Sequence, residues 1–219
     1  MNWRLSALDR ITLLSNSDAH SPNKIGREAN IFDTEISYRA ITNAIKTRNG
    51  LWGTIEFFPE EGKYHYDGHR LCGVNLSPKD TIKHNYLCPV CGRGVTIGVM
   101  HRVEKLADRE DGFKPAGTPS FYSIIPLLEI ISETLKVNAH SKAVNGEYFR
   151  LLRKLGHEFK ILMDTPIEEI MGSPLLREAI SRMRSGNVYI KPGFDGEYGK
   201  IKIFEEIERE EIKGQTMLF

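Results

Sequence analysis

His69-x-x-Cys72 and, fifteen residues later, Cys88-Pro-Val-Cys91-Gly92 place two pairs of ligand types in the chain, each pair separated by two residues. Each pair suits one tight knuckle. Two knuckles supply the four donors of a tetrahedral zinc site and leave no position open for water, so the expected role of the metal is structural. Every cysteine of the chain falls into these knuckles, which three inert core thiols would not explain. His65, Asp67 and His84 are nearby candidates for the fourth ligand. Only His69 reproduces the two-residue gap, and the other three are expected to face solvent or substrate.

Two further groupings carry possible chemistry. Asp18-Ala-His20 follows the apolar run Ile11 to Leu14. In extended backbone, residues two apart share a side, so a carboxylate and an imidazole there can face one metal or substrate. Asp18 as a turn former beside a surface His20 fits as well. Lys63, Tyr64, His65, Tyr66, His69 and Arg70, with Lys24 and Arg27 upstream, interleave rings with cations. That mixture suits an extruded base and its phosphates, or equally the small aromatic core of a zinc module. Arg177, Arg182 and Arg184 read as a solvated helix face.

The elements that must position these residues follow from periodicity and turn signals. Ile11 to Leu14 reads as a buried strand, Ile36 to Ile45 as a helix ending near Gly50, and Trp52 to Phe58 as a strand. Strand, helix, strand suggests the last piece of an α/β domain. From Glu60 to Gly98 turns and aromatics dominate, with too few apolar residues to fold by burial alone. Ile124, Leu127, Leu128, Ile131 and Leu135 space a buried helical stripe, and Tyr148, Leu151, Leu152 and Leu155 repeat it before Gly156. Thr165-Pro166 with Glu168 reads as a capping box, and Ser173-Pro174 starts another helix. Val188 to Ile190 and Lys200 to Phe204 read as a closing hairpin.

Composition bounds the rest. The chain has 219 residues, 40% of them hydrophobic, enough for one good-sized core. No apolar run spans a bilayer and the start is unlike a signal peptide, so a cytoplasmic location is expected. Lys and Arg number 30 against 29 acidic residues, so any nucleic-acid contact must use a local surface. The chain ends in Gln215-x-x-Leu218-Phe219 after a charged stretch, a pattern similar to sliding-clamp-binding peptides.

The blocks SNSDAHSP, GREANIF, GTIEFFPEEGKYHYDGHRLCGV, CPVCGRGVTIGVMHRVEKLADR, EFKILMDTP and PGFDGEYGKIKIF together resemble the endonuclease Q family of archaeal and bacterial DNA-repair nucleases. The resemblance implies an α/β plus α architecture. Residues 1–59 would be the C-terminal edge of a PHP-type α/β barrel, 60–107 a zinc-binding module, 108–204 a mainly helical DNA-engaging domain and 205–219 a charged tail. It implies incision of DNA 5′ to deaminated bases, such as uracil and hypoxanthine, and to abasic sites. Asp18 and His20 match the last metal motif of the PHP domain and would hold catalytic zinc or another divalent ion that activates water. The earlier PHP motifs are absent from these residues, so the chain is expected to be inactive alone. The alternatives are a non-catalytic zinc-containing DNA-binding or adaptor module and, less favoured, a PHP phosphatase.

Overall fold

The computed structural model describes residues 1–209 and residue 212. Gln215, Leu218 and Phe219, the anchors of the expected clamp-binding peptide, lie outside the described residues. Two compact units are present: Met1–Tyr122 with Ile190–Lys200, and Ser123–Tyr189 with the chain from Ile201 onward. Among the described residues no helix is long and apolar enough to cross a membrane.

In the first unit, strands β1 (Ala29–Phe32), β2 (Leu51–Glu56) and β5 (Ser120–Ser123) form a sheet with β2 in the middle. Helix α1 (Tyr38–Thr47) joins β1 to β2; the Ser37 side chain accepts from the Ala40 amide and Arg48 closes the helix in left-handed backbone. Strand, helix, strand is therefore present, but its first strand is β1 and not Ile11 to Leu14, and β1 pairs antiparallel to β2. Residues 11–14 form no ladder. Their neighbours offer side chains in place of a strand: Thr12 donates to the Ile45 carbonyl, and Asn30 bonds both the amide and the carbonyl of Ser15. Leu13 and Leu14 are exposed. Ile36, read as part of the helical stripe, lies outside the helix and is 100% exposed, because the Ser37 cap starts the helix after it.

Strands β3 (Asp67–His69) and β4 (Val74–Leu76) pair antiparallel, followed by α2 (Pro78–Lys83) and α3 (Val99–Leu106). These pieces are short. Three-residue strands and a six-residue helix are too short to persist alone in water.

The second unit is helical, with α4 (Leu127–Leu135), α5 (Lys142–Leu155) and α6 (Pro174–Ser185) around a core that includes Ile130, Ile131, Leu151, Ile161, Leu162 and Ile180. Ser141 and Ser173 cap α5 and α6 by accepting from the amides of Val144 and Leu176. The buried side of α4 is Leu127, Ile130, Ile131 and Thr134, with Leu135 left exposed. The expected capping box at Thr165 does not form. The Thr165 hydroxyl instead donates to the Lys160 carbonyl and closes a π-helical turn over Lys160–Asp164.

Arg182 and Arg184 of α6 are not merely part of a solvated face. Arg182 binds Glu178, Glu208 and the Ile203 carbonyl and stacks on Phe204. Arg184 donates to the carbonyls of Ile161, Leu162 and Thr165 at 2.7–2.9 Å, buried residues within and just after the π turn. Strands β6 (Tyr189–Lys191) and β7 (Lys200–Lys202) form the expected hairpin pair, but the loop between them is part of the first unit.

Arg184→Ala removes the donor from three carbonyls at once. Its expected cost is on the order of 3 kcal/mol, seen as an earlier urea transition in the helical unit. An unchanged midpoint would show that water replaces the guanidinium without loss.

Candidate metal centre

The first knuckle grows out of the β3–β4 hairpin. His69 ends β3, Arg70–Cys72 make one 3-10 turn, and Gly73 in left-handed backbone turns the chain into β4. The second knuckle follows α2 through Asn85 and Tyr86, both left-handed. The Cys88 amide donates to the Arg93 carbonyl, and the Gly92 amide to the Cys88 carbonyl. The ligand atoms of His69, Cys72, Cys88 and Cys91 lie within 4.8 Å of one another, and Cys91 Sγ is 3.5 Å from His69 Nδ1.

The donor set fits a borderline-soft divalent ion. Zinc–sulfur bonds of about 2.3 Å and zinc–nitrogen bonds of about 2.0 Å require ligand atoms to approach this closely. Burial alone would resist ionisation of Cys88, but the amides of Cys91 and Val90 and the His69 ring outweigh it and bring the thiol down to about 6. Cys72 moves the other way, to about 11, because it shares hydrogen bonds with the Cys91 thiol, is desolvated and neighbours Cys88. These opposed shifts are what adjacent thiols show when only protons are available to separate them. A cation bound by all four side chains would hold the sulfurs as thiolates.

A second layer fixes the hairpin. Asp67 is 0% exposed; its carboxylate accepts from the Gly98 amide and hydrogen-bonds His101 Nδ1, each at 2.7 Å. The start of α3 is thereby pinned to β3. The approach is close enough that a Cβ on Gly98 would fall 2.4 Å from the Tyr66 carbonyl oxygen.

Of the alternative ligands, His84 is exposed, as expected. His65 and Asp67 are not. His65 is buried with Nδ1 3.0 Å from the Pro59 carbonyl oxygen, and desolvation pushes its pKa down, against the pull of Glu60. It is therefore a neutral core side chain and leaves the DNA-facing set. Its ring lies against Tyr66, which is half-buried. Lys63, Tyr64 and Arg70 are exposed, as is Lys24.

Asp18 and His20 both lie on an exposed irregular segment. Asp18 has φ 45°, so the backbone is not extended there and the alternation that would aim both side chains the same way is broken. Among the described residues, the knuckle cluster is the one group of three or more potential metal ligands. The pair is not joined by a third.

Signals the sequence reading passed over are Asp67 with His101, and the loop from Ile190 to Lys200. Asp195 Oδ2 accepts from the Arg70 amide at 2.7 Å, and Oδ1 from the Thr96 hydroxyl at 2.6 Å. No local pattern announces a contact 125 residues apart.

A family model described as the MJ0043 C-terminal domain matches residues 126–187. Protein MJ0043 of Methanocaldococcus jannaschii is 36% identical over 200 residues, covering 87% of this chain and 25% of that protein. YqxK of Bacillus subtilis is 28% identical, over 92% of this chain and 49% of its own length. Among solved structures, the lesion-specific endonuclease PfuEndoQ of Pyrococcus furiosus superposes with a TM-score of 0.84 at 36% identity, over 95% of this chain and 54% of that one. Endonuclease Q bound to a 27-mer duplex with an abasic lesion at its active site superposes at 0.78 and 35% identity, over 94% and 53%. The chain thus spans from a quarter to about half the length of the relatives it matches.

Protein purified without added metal is expected to carry about one equivalent of zinc. Cys88→Ser should lose it, and a strong chelator should abolish the near-ultraviolet dichroism of Tyr64, Tyr66 and Tyr86, which flank the knuckles. A metal-free protein that keeps that signal would remove the metal from the account of the fold.

Proposed function

Because this chain resembles endonuclease Q over nearly its whole length, we propose that it supplies the zinc-knuckle and helical parts of a metal-dependent DNA-repair endonuclease that incises 5′ to deaminated bases and abasic sites. The observation that carries this reading is the 0.84 superposition on PfuEndoQ at 36% identity. Its DNA-facing residues would be Lys24, Arg27, Lys63, Tyr64, Tyr66 and Arg70. Residues 1–59 would belong to a PHP nuclease domain, and the protein would work in the cytoplasm.

In this reading the knuckle zinc is structural. His69, Cys72, Cys88 and Cys91 would supply all four ligands of such an ion and leave no position for water. The chemistry would belong to Asp18 and His20, each of which would donate one ligand to a catalytic divalent ion. Such an ion would supply activation of water and offset charge on the phosphodiester. Two donors on an exposed segment hold it weakly. These residues alone are then a recognising part that does not cut.

The second reading, a DNA-binding or adaptor module without catalysis, is favoured by the lack of a third ligand beside Asp18 and His20 among the described residues. Both readings meet one experiment. The 219-residue chain is mixed with labelled strands bearing one uracil or abasic site, in parallel with a version joined to the part of P. furiosus endonuclease Q that it does not cover. Binding without incision by the short form, and metal-dependent incision by the long form that Asp18→Ala abolishes, is expected. Robust cutting by the short form would refute its incompleteness, and no cutting by the long form would leave the adaptor reading.

A sliding clamp is the further partner proposed for Gln215, Leu218 and Phe219, through glutamine in a polar pocket and the apolar pair in a cleft. Changing Leu218 and Phe219 to alanine should abolish binding to the clamp of the same organism in a titration. Equal binding by the altered and unaltered forms would strike the clamp from the partners.

A further inference from the structure

The loop around Asp195–Tyr198 is held by backbone bonds against residues 60–66, which lead into the first knuckle, and by the Asp195 side chain against the knuckle itself. The Tyr66 amide donates to the Gly193 carbonyl, Gly193 to that of Glu60, Gly196 to that of Lys63, and Gly199 to that of Glu61, at 2.8–3.0 Å. Asp195 adds its bonds to the Arg70 amide and the Thr96 hydroxyl. The two stretches come so close that a Cβ on Gly199 would fall 2.0 Å from the Glu60 carbonyl oxygen. Phe194 is buried beneath the turn, against Gly68. A segment with this many ties is already ordered, and a ligand that uses it pays little further conformational entropy.

What the turn presents is aromatic and cationic. Tyr198 is 70% exposed, with the Lys63 ammonium 5.1 Å from its ring centroid. One face of the ring is thus occupied by a cation while most of its surface stays uncovered. Tyr64 is 50% exposed. A Cβ on Gly196 would lie 3.7 Å from the Tyr64 hydroxyl and 3.5 Å from Arg70 Nη1, so Tyr64 and Arg70 converge on the same turn that carries Tyr198. Exposure rules out these two rings as the packed core of the zinc module. The ammonium already on the Tyr198 ring disfavours a cationic ligand and favours one that combines a π-face with negative charge. Glu197, exposed in the same turn, limits the local positive charge, so the grip is by stacking more than by attraction.

We infer that Tyr198, together with Tyr64, Lys63 and Arg70, forms a stacking platform for an unstacked base of a single-stranded or lesion-opened DNA segment. The inference rests on the DNA-binding reading above and adds to it a residue from the far end of the chain. Each ring offers its face to a base of any sequence. Lys63 and Arg70 face the flanking phosphates, and Asp195, its carboxylate held by Arg70 and Thr96, keeps the platform assembled.

The test uses the whole 219-residue protein and a single-stranded oligonucleotide with 2-aminopurine next to an abasic site. Wild type is expected to bind it with a change in 2-aminopurine fluorescence. Tyr198→Ala should weaken binding by about ten-fold and lose that change, with zinc content and circular dichroism preserved. Tyr198→Phe should keep both. Lys63→Ala should flatten the dependence of log affinity on log salt by about 0.7. Unaltered affinity and fluorescence in Tyr198→Ala, with wild type binding, would overturn the platform and leave the DNA-binding reading standing. Equal loss in the alanine and phenylalanine variants would replace stacking by a hydroxyl contact and also overturn it. No binding by wild type would bring down both.

Discussion

Three sulfurs and an imidazole nitrogen lie within 4.8 Å of one another, a spacing at which the three sulfurs could all be thiolates only with a positive charge among them. Without one, the Cys72 thiol resists ionisation beside Cys88 and Cys91. A bound divalent ion would supply that charge and couple its binding free energy to folding. The surrounding elements have little else to hold them. Strands of three residues and a helix of six gain too little from burial to offset the ordering of their backbones. The knuckles set the spacing of the hairpin, and the Asp67 carboxylate, with Gly98 and His101 as partners, transmits that spacing to α3. Removing one partner would leave the fully buried Asp67 side chain short of a hydrogen bond.

The hairpin in turn is the floor on which the loop from Ile190 to Lys200 rests. That loop closes a contact 125 residues long, and long closure is entropically unfavourable. It is offset here by several backbone bonds made together and by the burial of Phe194. Glycines at positions 193 and 199 are the condition for this, since the backbones of the two stretches nearly touch. The outcome is that Arg70, one residue beyond a metal ligand, and Tyr198, near the end of the chain, sit around one turn.

Much of this was legible in advance, and the part that was not has physical causes. The ligand spacing named the cluster because a knuckle is local: two residues between donors is all it needs. The helices α4 and α5 declared themselves through apolar spacing and α6 through Ser173 with Pro174, a start signal that acts within three residues; the Ser141 cap of α5 passed unread. The strand expected at Ile11 to Leu14 failed because a strand is a relation between two backbones, and the apolar run of one segment cannot show that the neighbour of Ser15 is the side chain of Asn30. The capping box at Thr165 failed because two hydrogen-bond options compete for one hydroxyl, and the π turn took it. His65, Arg182 and Arg184 were misplaced for the same reason. Polar side chains were given to solvent by type, while the structure uses them to satisfy carbonyls of Pro59, Ile161, Leu162 and Thr165.

The contrast between the two candidate metal sites bears on how recognition and cutting are divided. The knuckle ligands come from segments tied to one another by backbone bonds, so their geometry is set within the first unit. Asp18 and His20 sit on a segment without a ladder, one of them in left-handed backbone, at the exposed surface. A metal held by two such donors must order them as it binds and still find its remaining ligands elsewhere. Catalytic geometry tolerates errors of only about half an ångström, which a segment anchored by Thr12 and Asn30 side chains does not guarantee. The two candidate sites therefore differ in how far this chain fixes them: the knuckle donors and the Ile190 to Lys200 loop are tied by backbone bonds, whereas a metal at Asp18 and His20 would need further ligands and a neighbouring backbone to hold it.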